Sequence, residues 1–180
     1  CQWLPAYQTS EEELRIVVAT FLDVFPQALL WRGDFVAALP ALGLIAGAEG
    51  VRLDPVAIDA RLRARLPELV ADNRYLAHPA GLWLYLVGSL DGRLPWVEAA
   101  RRNTQDLPWL ELLGARAAVS GHSEPAFTGA RLLDFLDEVR SAPDGPLLAL
   151  DAEHGRWRDL GAGLFRASNL DHTGDEEAAR

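Results

Sequence analysis

Aromatic side chains and one carboxylate lie near the ends of two predicted strands and give the sequence its clearest chemical signal. They are Trp3, Tyr7, Trp31, Asp34 and Phe35. Aromatic faces attract organic cations, and a carboxylate adds an ion pair. Open α/β sheets bind ligands at the carboxyl ends of their strands. The pattern therefore fits a site for a small organic cation, although residue types and spacing by themselves favour the alternative, in which both tryptophans are core residues and Asp34 belongs to a turn.

Common catalytic and metal-binding motifs are absent from the sequence. The spacing of Gly43, Gly47 and Gly50 fits neither a dinucleotide-binding loop nor a Walker loop, and no nucleophile elbow occurs. The single cysteine, Cys1, excludes an internal disulfide. The histidine and acidic residues lack the number and spacing of a metal site, so we predict none.

The amino-acid composition and net charge limit the classes of protein to which this chain can belong. Apolar residues make up 49% of the 180-residue chain, which is enough to exclude disorder along its whole length. The net charge of −9 argues against a nucleic-acid partner, because phosphate binding requires a basic surface. No apolar stretch reaches the roughly 20 residues of a membrane-spanning helix. The longest, over residues 80–90, predicts a buried helix or strand.

The elements that must position these side chains begin with a capped helix. Ser10 and Glu13 have the spacing of a capping box, in which each side chain bonds the other residue's backbone N–H. An apolar stripe that includes Val17 and Phe21 follows at helical spacing. We therefore predict a helix over residues 10–23 with this stripe buried.

Short apolar segments on either side of this helix predict strands. A strand end precedes it at residues 2–4, and strands follow at residues 27–32 and 42–46, the last two antiparallel. The order strand, helix, strand, loop, strand is typical of the last third of an open α/β sheet.

The rest of the chain is predicted to be mostly helical. Asp54 is the predicted cap of a second helix, which Pro67 should break. Residues 53–116 are expected to add mostly helices. Residues 117–180 are expected to form a loosely attached helical tail whose last ten residues are disordered.

Three segments, taken in order, resemble the spermidine synthase-like family. They are CQWLPAYQ at residues 1–8, TFLDVFP at 20–26 with LWRGDF at 30–35, and NTQDLPWLE at 103–111. They are most similar to a bacterial branch in which this domain is often fused to a membrane transporter-like region. Gln105 stands where that branch usually has Asp. The resemblance covers residues 1–116.

This resemblance implies an α/β fold. Residues 1–116 would be the C-terminal part of a Rossmann-like, methyltransferase-type sheet, followed by the helical tail over residues 117–180. The implied activity is aminopropyl transfer from decarboxylated S-adenosylmethionine to a diamine such as putrescine. The family's glycine-rich cofactor loop and catalytic Asp have no match in this chain. We therefore expect no catalytic or cofactor-binding residue here, and an inactive chain when it is alone.

The resemblance also implies which partners the chain meets. By their position at the ends of the predicted strands, Tyr7 and Trp31 are the predicted aromatic faces of the diamine site, Gln8 is a polar contact and Asp34 is the ammonium partner. Besides the diamine, a homodimer and a fused or associated membrane region are left open, and the implied location is the cytoplasm or the cytoplasmic face of the inner membrane. Two alternatives stand beside this reading: a non-catalytic binding module with the same fold, and a methyltransferase-like enzyme with another substrate.

Overall fold

Four short strands and six α-helices make up the described part of the chain. The computed structural model describes residues 1–47, 52–69, 73–91, 94–120, 125–144 and 148–173. The strands are β1 (Gln2–Pro5), β2 (Gln27–Arg32), β3 (Ala41–Ile45) and β4 (Leu86–Asp91). The α-helices are α1 (Glu11–Val24), α2 (Pro55–Leu69), α3 (Pro95–Ala99), α4 (Trp109–Ser120), α5 (Gly129–Ser141) and α6 (Ala152–Thr173). Two 3₁₀ helices, Arg74–Ala77 and Pro79–Tyr85, precede β4.

The four strands form one sheet in the order β1-β3-β2-β4, and each neighbouring pair is antiparallel. The fold is therefore mixed α/β, and the predicted strands at 27–32 and 42–46 are confirmed with at most a one-residue shift. Since β1 and β2 each pair antiparallel with β3, they run in the same direction without touching. No two of the described strands pair in parallel.

Helix α1 begins with the predicted capping box. The Ser10 hydroxyl accepts from the backbone N–H of Glu13 at 3.2 Å, and the Glu13 carboxylate accepts from the backbone N–H of Ser10 at 2.8 Å. The predicted stripe is only partly correct, because Val17 and Phe21 are half-buried. The ring of Phe21 packs on Phe25, itself partly exposed, at a centroid distance of 4.9 Å.

We expect the substitution Ser10→Ala to lower the free energy of unfolding by about 1 kcal/mol, because it removes the N-cap of a helix that packs on the sheet. Urea denaturation followed by tryptophan fluorescence measures the change. Ser10→Thr keeps a hydroxyl acceptor and should lose much less. Equal losses in the two variants would show that the cap hydrogen bond contributes little.

Several boundaries differ from the sequence prediction. Helix α2 continues through Pro67 to Leu69, so the predicted break is wrong; Pro67 lies in the last turn of this helix. Its predicted cap is confirmed, since the Asp54 carboxylate accepts from the backbone N–H of Ala57 at 3.0 Å. The segment at 80–90 is divided between the second 3₁₀ helix and β4.

The structure also differs from the predicted bounds of the helical tail. Helix α4 crosses the expected boundary between residues 116 and 117. At the end of the chain, residues 171–173 continue α6, while the rest of the segment predicted to be disordered, 174–180, lies outside the described residues.

Apolar side chains fill both faces of the sheet. Leu29 and Leu30 are adjacent in β2 but belong to different clusters, since successive side chains of a strand point to opposite faces. The cluster around Leu30 includes residues of α1, α3 and α5 together with Phe127 and Phe165. Because these last two are buried against the strands, the expectation of a loosely attached tail is wrong.

Candidate functional site

The carboxyl ends of β1 and β2 lie at the same edge of the sheet. Pro5 pairs with Ala41 of β3, and the backbone N–H of Gly33 donates to the Ala41 carbonyl at 2.7 Å. Tyr7 and Asp34 therefore follow the ends of these strands on one side of the molecule. Because β3 lies between them, the two segments leave the sheet roughly 10 Å apart, which is twice the strand spacing.

Asp34 forms a tight turn directly after β2. Its carboxylate accepts from the backbone N–H of Val36 at 2.9 Å. Partial burial raises the pKa of Asp34, since the charged carboxylate loses water there, while the Val36 hydrogen bond opposes the shift. Asp34 makes no ion pair with any residue that the structure describes. Its negative charge is therefore uncompensated.

Three aromatic rings gather at Phe35, the residue that follows Asp34 in the chain. The ring centroid of Phe35 lies 5.0 Å from that of Tyr75 and 4.9 Å from that of Tyr85. Burial raises the pKa of Tyr85, and the charges of Tyr75 and Asp34 add to the rise, against a hydrogen bond from Asn73. We call Asp34, Phe35, Asn73, Tyr75 and Tyr85 the Asp34 cluster.

The pairing of β4 with β2 explains why Tyr85 is in this cluster. Strand β4 runs antiparallel to β2 and begins with Leu86 opposite Trp31, so the residue before it arrives at the carboxyl end of β2. The phenol oxygen of Tyr85 then accepts from the Asn73 side-chain amide at 2.7 Å. This hydrogen bond fixes the position of the tyrosine hydroxyl.

A glycine allows the two 3₁₀ helices to approach each other closely enough to position Tyr75. A Cβ atom at Gly81 would lie 1.7 Å from the backbone oxygen of Tyr75. The Asn73 side chain also accepts from the backbone N–H of Tyr75 at 3.0 Å and so caps the first 3₁₀ helix. On the other side, the Ser168 hydroxyl of α6 donates to the Phe35 carbonyl at 2.9 Å.

The two tryptophans of the predicted cation site lie on one face of the sheet, on either side of Gly43. Trp3 and Trp31 both pair with Gly43 of β3. The ring of Trp3, which is 60% exposed, covers Gly43 and Gly33. Trp31 is half-buried and packs on Trp83 at a centroid distance of 6.3 Å. No ring contact or hydrogen bond joins either tryptophan to Asp34 within the described ranges.

Tyr7 and Gln8 lie in the turn that follows β1. The backbone N–H of Gln8 donates to the Pro5 carbonyl at 2.9 Å. In this turn the Gln8 side chain is exposed and the Tyr7 side chain is half-buried. Among the residues that the structure describes, neither side chain hydrogen-bonds to Asp34. The predicted site residues thus share one sheet edge but not one set of contacts.

Sequence reasoning missed Asn73, Tyr75 and Tyr85. The strand pairing that brings them to Asp34 joins β2 to β4, more than 50 positions further along the chain, and no local pattern specifies it. One signal was available: two of the three tyrosines in the chain lie within residues 75–85. Clustered tyrosines of this kind indicate an aromatic surface with polar tips.

No family model, curated protein or solved structure matches the chain. The residues of the site are therefore the basis for inferring which ligand this chain binds. In the described part of the chain, no three His, Cys, Asp or Glu side chains are grouped so that they could hold a metal ion. No helix there has the length and apolar character needed to cross a membrane.

A cleft lies between α1, α3 and α5. It has a volume of about 540 Å³ and is lined by three arginines and two glutamates, together with Trp96. Arg15 and Arg131 both pair with Glu11, and Arg101 pairs with Glu12. Each of these guanidinium groups therefore has a carboxylate partner among the described residues, although two of them share one glutamate.

The Asp34 cluster has the chemistry of a cation site. A half-buried carboxylate with no counter-ion attracts a positive charge more strongly than one in open water. The aromatic rings of the cluster favour an organic ammonium group over a fully hydrated metal ion. The arrangement can therefore bind and orient a primary ammonium group.

Proposed function

We propose that this chain supplies the amine-binding side of a spermidine synthase-like aminopropyltransferase. In that reaction a diamine nitrogen attacks the carbon next to the sulfonium of decarboxylated S-adenosylmethionine. A C–N bond forms, the C–S bond breaks, and the nitrogen loses a proton. Much of the rate gain in such a displacement comes from orienting the attacking amine. The residues of this chain would hold the distant ammonium group, so that the other nitrogen is left free to react.

The observation that carries the proposal is the half-buried carboxylate of Asp34, which has no ion-pair partner among the described residues and is followed in the chain by Phe35, whose ring packs on Tyr75 and Tyr85. An ammonium group bound there would form an ion pair with a carboxylate that has already lost part of its water. The faces of Phe35 and Tyr75 would add cation–π attraction. The hydroxyl of Tyr85 could accept a hydrogen bond from the same ammonium group, since its oxygen has two lone pairs.

The order of the elements also supports the proposal. Strands β1 and β2 run in the same direction, α1 connects them, and Asp34 follows the carboxyl end of β2, where open α/β sheets bind their ligands. We propose that this sheet is the C-terminal part of a Rossmann-like sheet. Tyr7, Gln8 and Trp31 remain candidate contacts for the rest of the diamine. The activity would place the protein in the cytoplasm, or at the cytoplasmic face of the inner membrane if a transporter-like region is attached.

A non-catalytic module that binds organic cations is the second candidate. It would be favoured if a longer protein containing this chain also lacked the family's glycine-rich cofactor loop and catalytic Asp. Such a module would use the same Asp34 cluster and would bind a diamine without transferring anything. The two functions therefore agree on the site and differ in the chemistry.

We expect Asp34→Asn to weaken putrescine binding by about three- to tenfold, since a partly exposed ion pair contributes on the order of 1 kcal/mol. The measurement is an NMR titration of the chain with putrescine, followed through the amides around Asp34 and Tyr85. Asp106→Asn, a change at an exposed loop residue, is the matched control and should leave the affinity unchanged. A neutral ligand of similar shape, butanol, should not compete.

Equal affinities for putrescine in Asp34→Asn and in the unchanged chain would remove Asp34 from the site. Transfer is assayed separately, by incubating the chain with putrescine and decarboxylated S-adenosylmethionine. We expect binding without transfer from the 180 residues alone. A longer protein that contains this chain and transfers the group would favour the enzyme, and one that binds putrescine without transfer would favour the binding module.

A further inference from the structure

His154 is buried between two carboxylates at the start of α6. Its side chain is 7% exposed, with Nδ1 2.7 Å from Asp151 Oδ1 and Nε2 3.2 Å from Asp59 Oδ2. Trp83 closes a third side: its ring stands edge-on to the imidazole at 5.0 Å, and its Nε1–H donates to Asp59 Oδ1 at 2.9 Å. These four side chains form one connected group, which we call the His154 cluster.

The two short distances bear on how many protons the imidazole ring of His154 carries. A neutral imidazole has one N–H and one bare nitrogen, so it can donate to only one of the two carboxylates. The other carboxylate would then face a lone pair. An imidazolium donates from both nitrogens and satisfies Asp59 and Asp151 at once. The alternative, a neutral ring facing a protonated Asp59, gives a different NMR signature and is tested below.

The charges that face this ring come from two elements among the described residues. Helix α2 contributes Asp59, and the turn before α6 contributes Asp151; the second 3₁₀ helix contributes Trp83, which is uncharged. Burial by itself lowers the pKa of His154. The hydrogen bonds to both carboxylates, and their charges, outweigh burial and raise this pKa above its usual value.

The cluster joins segments that are far apart in the sequence. Asp59 and His154 are separated by 95 residues, and Trp83 lies between them in the chain. Asp151 also accepts from the backbone N–H groups of Glu153 and His154, so the same carboxylate caps α6. Loss of the imidazolium charge would therefore weaken both the start of α6 and its attachment to α2.

We propose that the His154 cluster is a proton-dependent latch, which holds α2 against the first turn of α6 while His154 is charged and loosens when the ring loses its proton. This inference is independent of the proposed activity. The latch would make the protein responsive to alkaline pH, because rising pH removes the proton on which both hydrogen bonds depend.

The direction of the pH dependence follows from linkage. The folded-state pKa of His154 is raised above the value near 6.5 that the open state would have. The latch is therefore at full strength below pH 6.5 and is lost as the pH rises through the folded-state pKa. Between these two values we expect the opening equilibrium to increase with pH, by at most about tenfold for each pH unit, and above the folded-state pKa it should level off.

The first test uses the unchanged protein. Long-range ¹H–¹⁵N NMR of its four histidines separates imidazolium rings, with two equivalent nitrogens, from neutral tautomers, with two different ones. We expect the His154 ring to be doubly protonated at pH 6.5 and to lose its proton at a higher pH. A neutral His154 ring at pH 6.5, with or without a protonated Asp59, would overturn the proposal.

The second test measures opening directly. Hydrogen exchange of α2 amides, corrected for the intrinsic effect of pH, should show this rise of the opening equilibrium with pH in the unchanged protein. In His154→Gln we expect faster exchange at low pH and no such rise, because a glutamine cannot gain the second positive donor. His172→Gln, a change at an exposed residue near the end of the same helix, should behave as the unchanged protein. The same pH dependence in His154→Gln would contradict the latch proposal. If that variant does not fold, the NMR measurement on the unchanged protein still tests the proposal.

Discussion

Gly161→Ala should lower the free energy of unfolding by about 3 kcal/mol, a larger loss than a single methyl group usually causes. Gly161 is buried in α6, where the helix backbone meets the second 3₁₀ helix. A Cβ atom there would lie 1.9 Å from the backbone oxygen of Leu84 and 2.6 Å from its carbonyl carbon. Because backbone atoms cannot rotate away as a side chain can, α6 would have to move off the helix it packs on. Overpacking of this kind costs about 1–3 kcal/mol or more.

The same clash would disturb a buried arginine. The Leu84 oxygen accepts from the Arg32 guanidinium at 3.2 Å, and Arg32 is only 3% exposed. Displacing this carbonyl would remove one of the two backbone acceptors of that guanidinium, the other being the Leu86 oxygen at 3.1 Å. A buried charge that loses a hydrogen bond adds to the destabilisation.

Gly163→Ala is the matched control, two residues further along the same helix. Gly163 is exposed, and a Cβ atom there would meet nothing within 4 Å. We expect this variant to be more stable by up to about 1 kcal/mol, because alanine favours the helix over glycine. Thermal unfolding should therefore shift by roughly 6–12 °C downward for Gly161→Ala and slightly upward for Gly163→Ala. Equal, small shifts would show that α6 can move without loss.

Phe127→Ala should cost about 3–5 kcal/mol, as expected for a large ring removed from a closed core. Phe127 is 1% exposed, and its ring meets Phe135 edge-to-face at 5.6 Å. Its backbone N–H donates to the Thr9 carbonyl at 2.8 Å and to the Ala6 carbonyl at 3.1 Å. The residue therefore joins the start of the tail to the turn after β1, far from it in sequence.

Urea denaturation, followed separately by tryptophan fluorescence and by amide exchange in α1, measures this effect. If the tail were a loose appendage, Phe127→Ala would leave the unfolding of α1 unchanged. We expect instead that both signals shift together, because Phe127 and Leu14 belong to one buried cluster. Val119→Ala, at a site that is 90% exposed in α4, is the control and should change stability by less than about 0.5 kcal/mol.

Local patterns were sufficient for the elements nearest the start of the chain. The capping box of Ser10 and Glu13 involves residues three positions apart, and a helix stripe repeats every three or four residues, so both can be recognised in a short window. The same holds for β2 and β3, where a few apolar residues end at a glycine or proline. The type and location of these elements were therefore predictable.

The segment at 80–90 shows where this local information ends. An apolar run of that length fits a buried helix or a strand equally well. Its actual division, a 3₁₀ helix followed by β4, depends on pairing with β2 and on the close approach at Gly81. Tyr85 reaches Asp34 only through that pairing. Three of the five residues of the Asp34 cluster were therefore invisible in the sequence.

The sequence alone determined the charge balance, the capped helix, two of the strands and the position of Asp34 after β2, because each depends on residue type and on neighbours a few positions away. Tertiary structure decided which aromatic side chains come together near Asp34 and how His154 contacts Asp59 and Asp151. It also decided that a side chain at position 161 would clash with the backbone of Leu84. Each of these depends on contacts between segments far apart in the chain. Their geometry is set by the packing of the whole core, which no short stretch of sequence encodes.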